Sequence, residues 1–528
     1  MRLTARRLAR SLVPLVLLSA IVTAGPAVAQ SASHGNWTTW QHDTYGSRYN
    51  PAEHVITPAT AGDLTLKWAF AYPFVPNGVM AKSQPAVVNG VVYFGSPDAK
   101  FYALDARTGK TRWVFDLSTV APVVGDASVW DGPAVVDGKV YFGDHRGYLY
   151  SLNAVTGKLI WANRVDSHPM AIFTSSPLYF GGRIYVGVSS SESAVDANYP
   201  CCTFRGSLVA VDARTGVVDW RYYTVPQPRQ VGTWPSGAAE FAPSGGAVWS
   251  TPAIDPVTRT LYVGTGQNYT GTTGDTDSVL ALDTVTGAVR WKQQMTHPDT
   301  WRLLCRVPGD DGYCPGNATG TALDFDLGSM PNIFRVNGRT LVGIGQKTGI
   351  YHVFDARTGQ IVWQRQLSEA TASSGISGIQ WGAAYDGKKL YVATWEASPG
   401  TLYALNPADG AISWQTPNPA DGCGWGGAAL YPSLCVLGHT PAVTASPGLV
   451  YEGSTDGKMR VYSSATGAVL WQYDTVRDFV GVNGLTGRGS ALSGNGGAVV
   501  SDGMMFVQSG YYPFYPTDKG YVLLAFGL

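Results

Sequence analysis

The sequence predicts an all-β fold: an eight-bladed β-propeller of four-stranded antiparallel blades. A turn-and-tryptophan pattern recurs seven times, hairpin turns precede most copies, and the two chain ends each carry part of an eighth.

The pattern first reads Leu104-Asp105-Ala106-Arg107-Thr108-Gly109-Lys110-Thr111-Arg112-Trp113. It returns over 153–161, 212–220, 283–291, 355–363, 406–414 and 463–471, each time with Gly four residues before Trp. The physical reading is a hairpin. A β-rich run such as Phe101-Tyr102-Ala103-Leu104 ends at Asp-x-x-Thr-Gly, where the carboxylate caps nearby amides and Gly accepts positive φ. The following strand carries Trp to a fixed place. Upstream lies a second hairpin, such as Val87-Val88-Asn89-Gly90-Val91-Val92-Tyr93-Phe94. Further Asn-Gly or Asp-Gly turns stand at Asp137-Gly138, Asn337-Gly338, Asp386-Gly387 and Asp502-Gly503. Two hairpins make a four-stranded unit, which cannot bury both faces alone, so copies must stack.

Successive tryptophans lie between 48 residues (Trp113 to Trp161) and 72 residues (Trp291 to Trp363) apart, which leaves room for loops beyond four strands. A linear solenoid would need caps at both ends. Instead the chain ends in the strand-like Gly520-Tyr521-Val522-Leu523-Leu524-Ala525-Phe526, with no turn and Trp after it. The missing piece stands near the start as Leu64-Thr65-Leu66-Lys67-Trp68. The N-terminal strand is expected to complete the last blade and close the ring.

Residues 1–29 read as an export signal, with Arg2, Arg6, Arg7 and Arg10 before an apolar stretch and Ala27-Val28-Ala29 before the cut. Arg6-Arg7 is compatible with a twin-arginine route as well as the general one. The expected mature protein, 30–528, is one propeller domain without a membrane span. The chain has 37 basic and 37 acidic residues, and the signal carries four of the arginines and no acid, which leaves −4. That balance argues against nucleic acid as a partner. Six cysteines in an exported chain imply disulfides. Fifteen pairings are possible in principle. Short loops close at least entropic cost, which favours Cys201–Cys202, Cys305–Cys314 and Cys423–Cys435. No Cys-x-x-Cys-His exists for a covalent c-type haem, and no paired Cys-x-x-Cys suggests zinc.

The repeat Ala-x-Asp-x-x-Thr-Gly-x-x-x-Trp in eight blades resembles the tryptophan-docking motif of the pyrroloquinoline quinone (PQQ)-dependent dehydrogenases. The segment Trp40-Gln41-His42-Asp43-Thr44-Tyr45-Gly46-Ser47-Arg48-Tyr49-Asn50 is similar to that family's start. Within the family, four loop motifs look most like the polyvinyl alcohol dehydrogenase type. They are Ser189-Ser190-Ser191-Glu192, Pro200-Cys201-Cys202-Thr203-Phe204-Arg205-Gly206, His297-Pro298-Asp299-Thr300-Trp301 and Asp324-Phe325-Asp326-Leu327-Gly328.

PQQ is a flat tricarboxylate with an electrophilic ortho-quinone. Its site needs an apolar plate, cations for the carboxylates, a hard metal ion and a base. The resemblance implies Trp249 as the plate under the quinone; it lies outside the repeat offset, so the blades do not need it for docking. It implies Glu192 as a ligand of a hard cation, with Ca²⁺ the first choice. A second ligand follows Gly264-Thr265-Gly266, where the family has Asn. This chain has Gln267 and then Asn268, so either amide could reach in. Asp324 is implied as catalytic base and metal ligand. Asp326 is the alternative for that position; otherwise it stands where lanthanide-using relatives carry an extra carboxylate. Lys347 fits the cation near the quinone oxygens, Arg146 the cation for a PQQ carboxylate, and Trp381 a pocket wall. Some relatives press a ring of adjacent bonded cysteines on the quinone face opposite the tryptophan. Theirs lies in the second blade, whereas Cys201–Cys202 falls in the third.

The expected function is an exported oxidoreductase. An alcohol, or a secondary-alcohol polymer such as polyvinyl alcohol, would pass hydride to metal-bound PQQ. A separate electron acceptor, such as a cytochrome c, would reoxidise the cofactor. A binding or assembly propeller that uses the repeat without a cofactor is the alternative, and Gln267 also permits a propeller enzyme whose site has decayed.

Overall fold

Blade 1 of the computed structural model is an antiparallel sheet of Ala86–Val88, Val91–Gly95, Lys100–Asp105 and Thr111–Asp116, in that order. Six further antiparallel meanders follow between residues 134 and 474, five of four strands and one, blade 3, with the short Ala171–Ile172 as a fifth. The eighth joins Val499–Ser501, Met504–Ser509 and Val522–Gly527 to the N-terminal Thr65–Ala71, in the order expected for ring closure. The closing register runs from Thr65 opposite Gly527 to Ala71 opposite Val522. The structure describes residues 35–73, 75, 82–121, 127–306, 311–369, 378–395, 399–419, 438–492, 494, 496–510 and 521–528. The expected export signal and the pair Cys423–Cys435 lie outside them. Among the described residues no helix is long and apolar enough to cross a membrane.

The turn chemistry follows the sequence closely. The Asp105 Oδ1 accepts the amides of Arg107 and Thr108 and the Thr108 hydroxyl, and Asn153, Asp212, Asp283 and Asp355 do the same in their blades. Asn89-Gly90, Asp137-Gly138, Asn337-Gly338 and Asp502-Gly503 have positive φ at both residues, as a type I′ hairpin requires. Asp386-Gly387 departs: only the glycine is left-handed, and Asp386 accepts the amides of Lys388 and Lys389 in a longer turn.

The repeated tryptophan does not serve its own blade. Its indole nitrogen donates to a carbonyl in the turn of the next: Trp68 to Ala106 (3.0 Å), Trp161 to Ala213 (3.1 Å), Trp363 to Pro407 (3.0 Å). The last, Trp471, donates to Leu64 (2.9 Å) and so returns the series to its start. The turn glycine lies against the preceding blade's indole. A Cβ on Gly216 would stand 2.6 Å from the Trp161 ring, and one on Gly359 2.6 Å from Trp291. The apolar core is correspondingly a set of layers, each shared by two neighbouring blades. Phe101 and Phe142 stack across blades 1 and 2 (centroids 4.1 Å), and Leu523 and Ala525 pack with Val92 and Phe94 across the closure.

The first strand of each blade faces the axis, and residues 37–50 run round it in chain order. Trp37 pairs with Val87 of blade 1, and the carbonyl of Thr38 accepts Val135 N of blade 2. The Thr39 hydroxyl donates to Pro177 O of blade 3. The carbonyls of Thr44, Tyr45, Ser47 and Arg48 then accept amides of Ile254, Ile333, Tyr385 and Ala445, in blades 4 to 7. Asn50 completes the circuit on Val500 of blade 8. Arg48, wholly buried, donates to the carbonyls of Trp40 and Val443 and lies over the Trp40 ring. This segment plugs the axis by bonding to each blade in turn, and its Trp40 packs on Met330 and Trp381.

Gly216→Ala should cost about 2–4 kcal/mol, since it combines a left-handed backbone with overpacking against Trp161. Gly138→Ala, left-handed but in open space, should cost only the backbone part, about 1 kcal/mol. Thermal unfolding of the two variants should separate them in that order.

Candidate functional site

The segments that lead into the first strands converge above the plug. They line a cavity of about 260 Å³ that opens to solvent. Every blade contributes from the same place: Lys82 before blade 1, Trp130 before blade 2, Thr174 before blade 3 and Trp249 before blade 4. Asp324 and Asp326 precede blade 5, Trp381 blade 6, Thr440 blade 7 and Gly494 blade 8. The ends of the second strands and the segments after them complete the wall, with Ser189 and Ser190 in blade 3, Gln267 and Tyr269 in blade 4, and Lys347 in blade 5.

Trp249 is fixed by its neighbours. A Cβ on Gly328 would fall 1.8 Å from its ring, Gly266 lies beside its Nε1, and the Thr174 hydroxyl donates to its carbonyl (3.1 Å). Trp381 meets it edge-on, with centroids 4.8 Å apart at 75°. The two rings form a corner with one broad apolar face.

Beside that face is a knot of buried charge. Lys347 Nζ donates to Asp324 Oδ1 (2.7 Å) and contacts Asp326 Oδ2 (2.6 Å), 5.6 Å from the Trp249 ring centre. The two carboxylates hold the ammonium well above the usual lysine range, against the opposing effect of burial. Burial raises the Asp324 carboxyl from its ordinary value, Lys347 pulls it back, and Asp326 pushes it up again. Asp299 shapes the turn. Its carboxylate accepts the amides of Leu323, Asp324 and Phe325 at 2.7–3.1 Å, and Asp324 adopts a φ of 60°. Burial, reinforced by the charge of Asp326 and opposed by these amides, pushes Asp299 up to about 6. Asp326 Oδ1 accepts the Gln267 amide (2.8 Å).

Trp249, Trp381, Gln267, Asp324, Asp326 and Lys347 therefore meet around one cavity. Asn268 does not line it: its side chain is spent on Ser244, Thr273 and Thr276. Glu192 lies behind the wall formed by Ser190 and Ser193. Its carboxylate is fully buried and accepts the amides of Thr203 (2.9 Å) and Phe204 (2.8 Å). Tyr269, on the wall, links it to the rest: burial lifts its phenol, and the charges of Glu192, Asp326 and Asp324 lift it further. Cys201 and Cys202 are bonded and buried against Glu192, also behind the wall. Cys305 and Cys314 are bonded too, and pack with Trp301. Arg146 is not among the lining residues; its guanidinium pairs with Asp144 (2.7 Å) and donates to Tyr150 Oη.

Lys82, Trp130, Trp301 and Trp395 also line the cavity, and sequence reasoning gave them no role. A signal existed for the first two. Lys82, Trp130, Thr174 and Trp249 each stand three residues before the proline that opens a blade: Pro85, Pro133, Pro177 and Pro252. Proline suits a strand's first position, where its missing N–H leaves no ladder bond unmade. The offset therefore marks a fixed height above the ring.

A family model described as the glucose/ethanol/alcohol dehydrogenase β-propeller domain matches residues 37–303, and one for outer membrane protein assembly factor BamB matches 347–515. Polyvinylalcohol dehydrogenase of a Pseudomonas species is 33% identical over 90% of this chain and 73% of its own. The enzyme of that name from Sphingopyxis sp. (strain 113P3) is 33% identical over 93% and 74%. The chain belongs to the PQQ-dependent alcohol dehydrogenase family. Among solved structures, quinohemoprotein alcohol dehydrogenase ADHIIG of Pseudomonas putida HK5 superposes with a TM-score of 0.68, at 20% identity, over 94% of this chain and 80% of its own. That likeness places the eight blades and the N-terminal closing strand in the fold of a PQQ-dependent alcohol dehydrogenase.

Asp299 titrates higher in the folded chain than its ordinary value of 3.8, so the folded state binds more protons between about pH 4 and 6. Stability of the metal-free protein should accordingly fall as pH rises through that window. Asp299→Asn, which keeps an acceptor for the amides, should flatten this part of the profile, as read by thermal midpoints from pH 4 to 7.

Proposed function

We propose that this chain is an exported, PQQ-dependent alcohol dehydrogenase, and that secondary-alcohol polymers such as polyvinyl alcohol are among its substrates. The observation that carries the reading is one cavity where a broad tryptophan face adjoins two buried carboxylates and a lysine. The substrate class comes from the names of the 33%-identical relatives.

The wall suits a flat anion. Trp249 offers the face, Trp381 blocks one edge, and Lys347 and Lys82 are the cations among the lining residues. Lys82, rather than Arg146, is positioned for a PQQ carboxylate. Asp324, Asp326 and Gln267 offer only oxygen donors, as a hard cation such as Ca²⁺ or a lanthanide requires. Glu192 is a further oxygen donor immediately behind the wall. PQQ, when bound beside such a cation, supplies a polarised ortho-quinone that takes up hydride from an alcohol carbon. The chain supplies the rest. Asp324 Oδ1 accepts the hydroxyl proton; a carboxyl raised by burial is a better base than a solvated one. Lys347 holds a positive charge where electron density accumulates. Trp130, Trp301 and Trp395 exclude water from the exchange. A separate acceptor, such as a cytochrome c, would be needed to take the electrons away.

An assembly propeller without a cofactor is the second reading, favoured by the BamB match over 347–515. That stretch omits Glu192, Trp249, Gln267, Asp324 and Asp326.

Purified protein incubated with PQQ and Ca²⁺, or PQQ and a lanthanide, should take up one quinone and reduce an artificial dye with simple alcohols and with polyvinyl alcohol. No quinone uptake with either cation would leave the assembly reading in possession. Asp324→Asn should lower kcat by about a hundredfold or more while quinone is still bound. Gly328→Val, which drives Trp249 out of its seat, should abolish quinone uptake with the blades intact by circular dichroism.

A further inference from the structure

Behind the cavity wall lies a carboxylate that the reading above does not use. Asp277 opens the third strand of blade 4, Ser278–Asp283, opposite the turn that carries Gln267. Its amide donates to Gly266 O (3.1 Å), and its carbonyl accepts Met295 N. The residue is fully buried, and neither carboxylate oxygen has a hydrogen-bond partner among the described residues. Its φ is 45°, a left-handed conformation that aspartate adopts more readily than most residues.

Such a group is costly, because a buried polar atom normally finds a partner. Another carboxylate of this kind, Glu452, has Arg48 as its charged neighbour. The charged groups around Asp277 are instead Asp299, Asp326, Lys347 and Asp324, three of them acids. The one ammonium in this set already contacts Asp324 and Asp326, and Asp299 is satisfied by three amides. Four buried carboxylates thus share one lysine, and the fourth lies directly behind the Gly266-Gln267 turn whose amide holds Asp326. Burial, reinforced by Asp299, Asp326 and Asp324 and opposed by Lys347, holds the Asp277 carboxyl well above the usual carboxylate range; a multivalent cation on the cavity side would offset that repulsion.

We propose that Asp277 is an outlying carboxylate of the cation site, which does not touch the ion but strengthens its binding, and strengthens a trivalent ion more than a divalent one. This rests on the reading of the cavity as a cation and quinone site. The physical reason is Coulombic: in a medium of effective dielectric about 20, the attraction of one added charge scales with the charge of the ion. Gln267, an amide where a charged ligand could stand, makes such support from behind more consequential.

The test uses the full mature protein without quinone. Tb³⁺ binding is followed by luminescence sensitised through the cavity tryptophans, and Ca²⁺ binding by competition, with Asp324→Asn as the control that identifies the site. Asp277→Asn should weaken Tb³⁺ by about tenfold or more and Ca²⁺ by a smaller factor. Asp277→Leu, which removes the unpartnered atoms, should do the same while the metal-free melting temperature stays level or rises. Affinities equal to wild type in Asp277→Asn would overturn the role of Asp277 and leave the cation site standing. Equal losses for both ions with a lowered metal-free melting temperature would mark a structural residue and also overturn it. Absence of any Tb³⁺ binding to wild type at the Asp324-dependent site would overturn the cation reading and this inference together.

Discussion

An indole nitrogen donating to the next blade's carbonyl, over a glycine that lies under the ring, is the contact on which the rest of this molecule depends. A four-stranded blade has two apolar faces and cannot cover either alone. The tryptophan sets how far and at what angle the neighbour sits, and the glycine lets it approach. Trp471, donating to Leu64, shows why closure matters. Without the N-terminal strand in the last blade, two apolar layers would face water, among them the cluster that contains Phe506, Leu523 and Ala525.

Closure in turn makes the site. With spacing fixed round the axis, the segments that open the blades end at one height, and a short run of chain, 37–50, can bond to the first strand of each blade in turn. Through Trp40 the plug backs Trp381, which lines the cavity. Loops above it are free to differ, because the scaffold does not need them for packing. That is where charge, aromatic rings and the disulfide between Cys201 and Cys202 are found.

The buried charges run against stability. Lys347 between Asp324 and Asp326 is desolvated, and such pairs seldom repay the cost of leaving water. Asp299 commits three backbone amides to holding Asp324 in a left-handed turn. A fold that accepts these costs beside an open cavity sets departures from stable packing where chemistry is expected.

The architecture was legible because the docking contact is local in sequence. Asp, Gly and Trp stand within nine residues of one another, so each repeat announces its own turn, and the split eighth copy announces the closure. Trp249, Asp324 and Lys347 could be selected for the same reason: each sits in a short motif. What the sequence left open depended on which way a side chain turns. Gln267 and Asn268 are adjacent, yet only Gln267 faces the cavity, because Asn268 is spent on Ser244, Thr273 and Thr276. Arg146 sits in a fitting motif but answers to Asp144. Lys82 and Trp130, without a motif of their own, reach the cavity because blades 1 and 2 stand across the axis from residues distant in the chain. The sequence by itself determined the blades, their number and their closure, through contacts between neighbours in the repeat. Only the tertiary structure decided which loops meet, because convergence over an axis brings together residues that no local pattern connects.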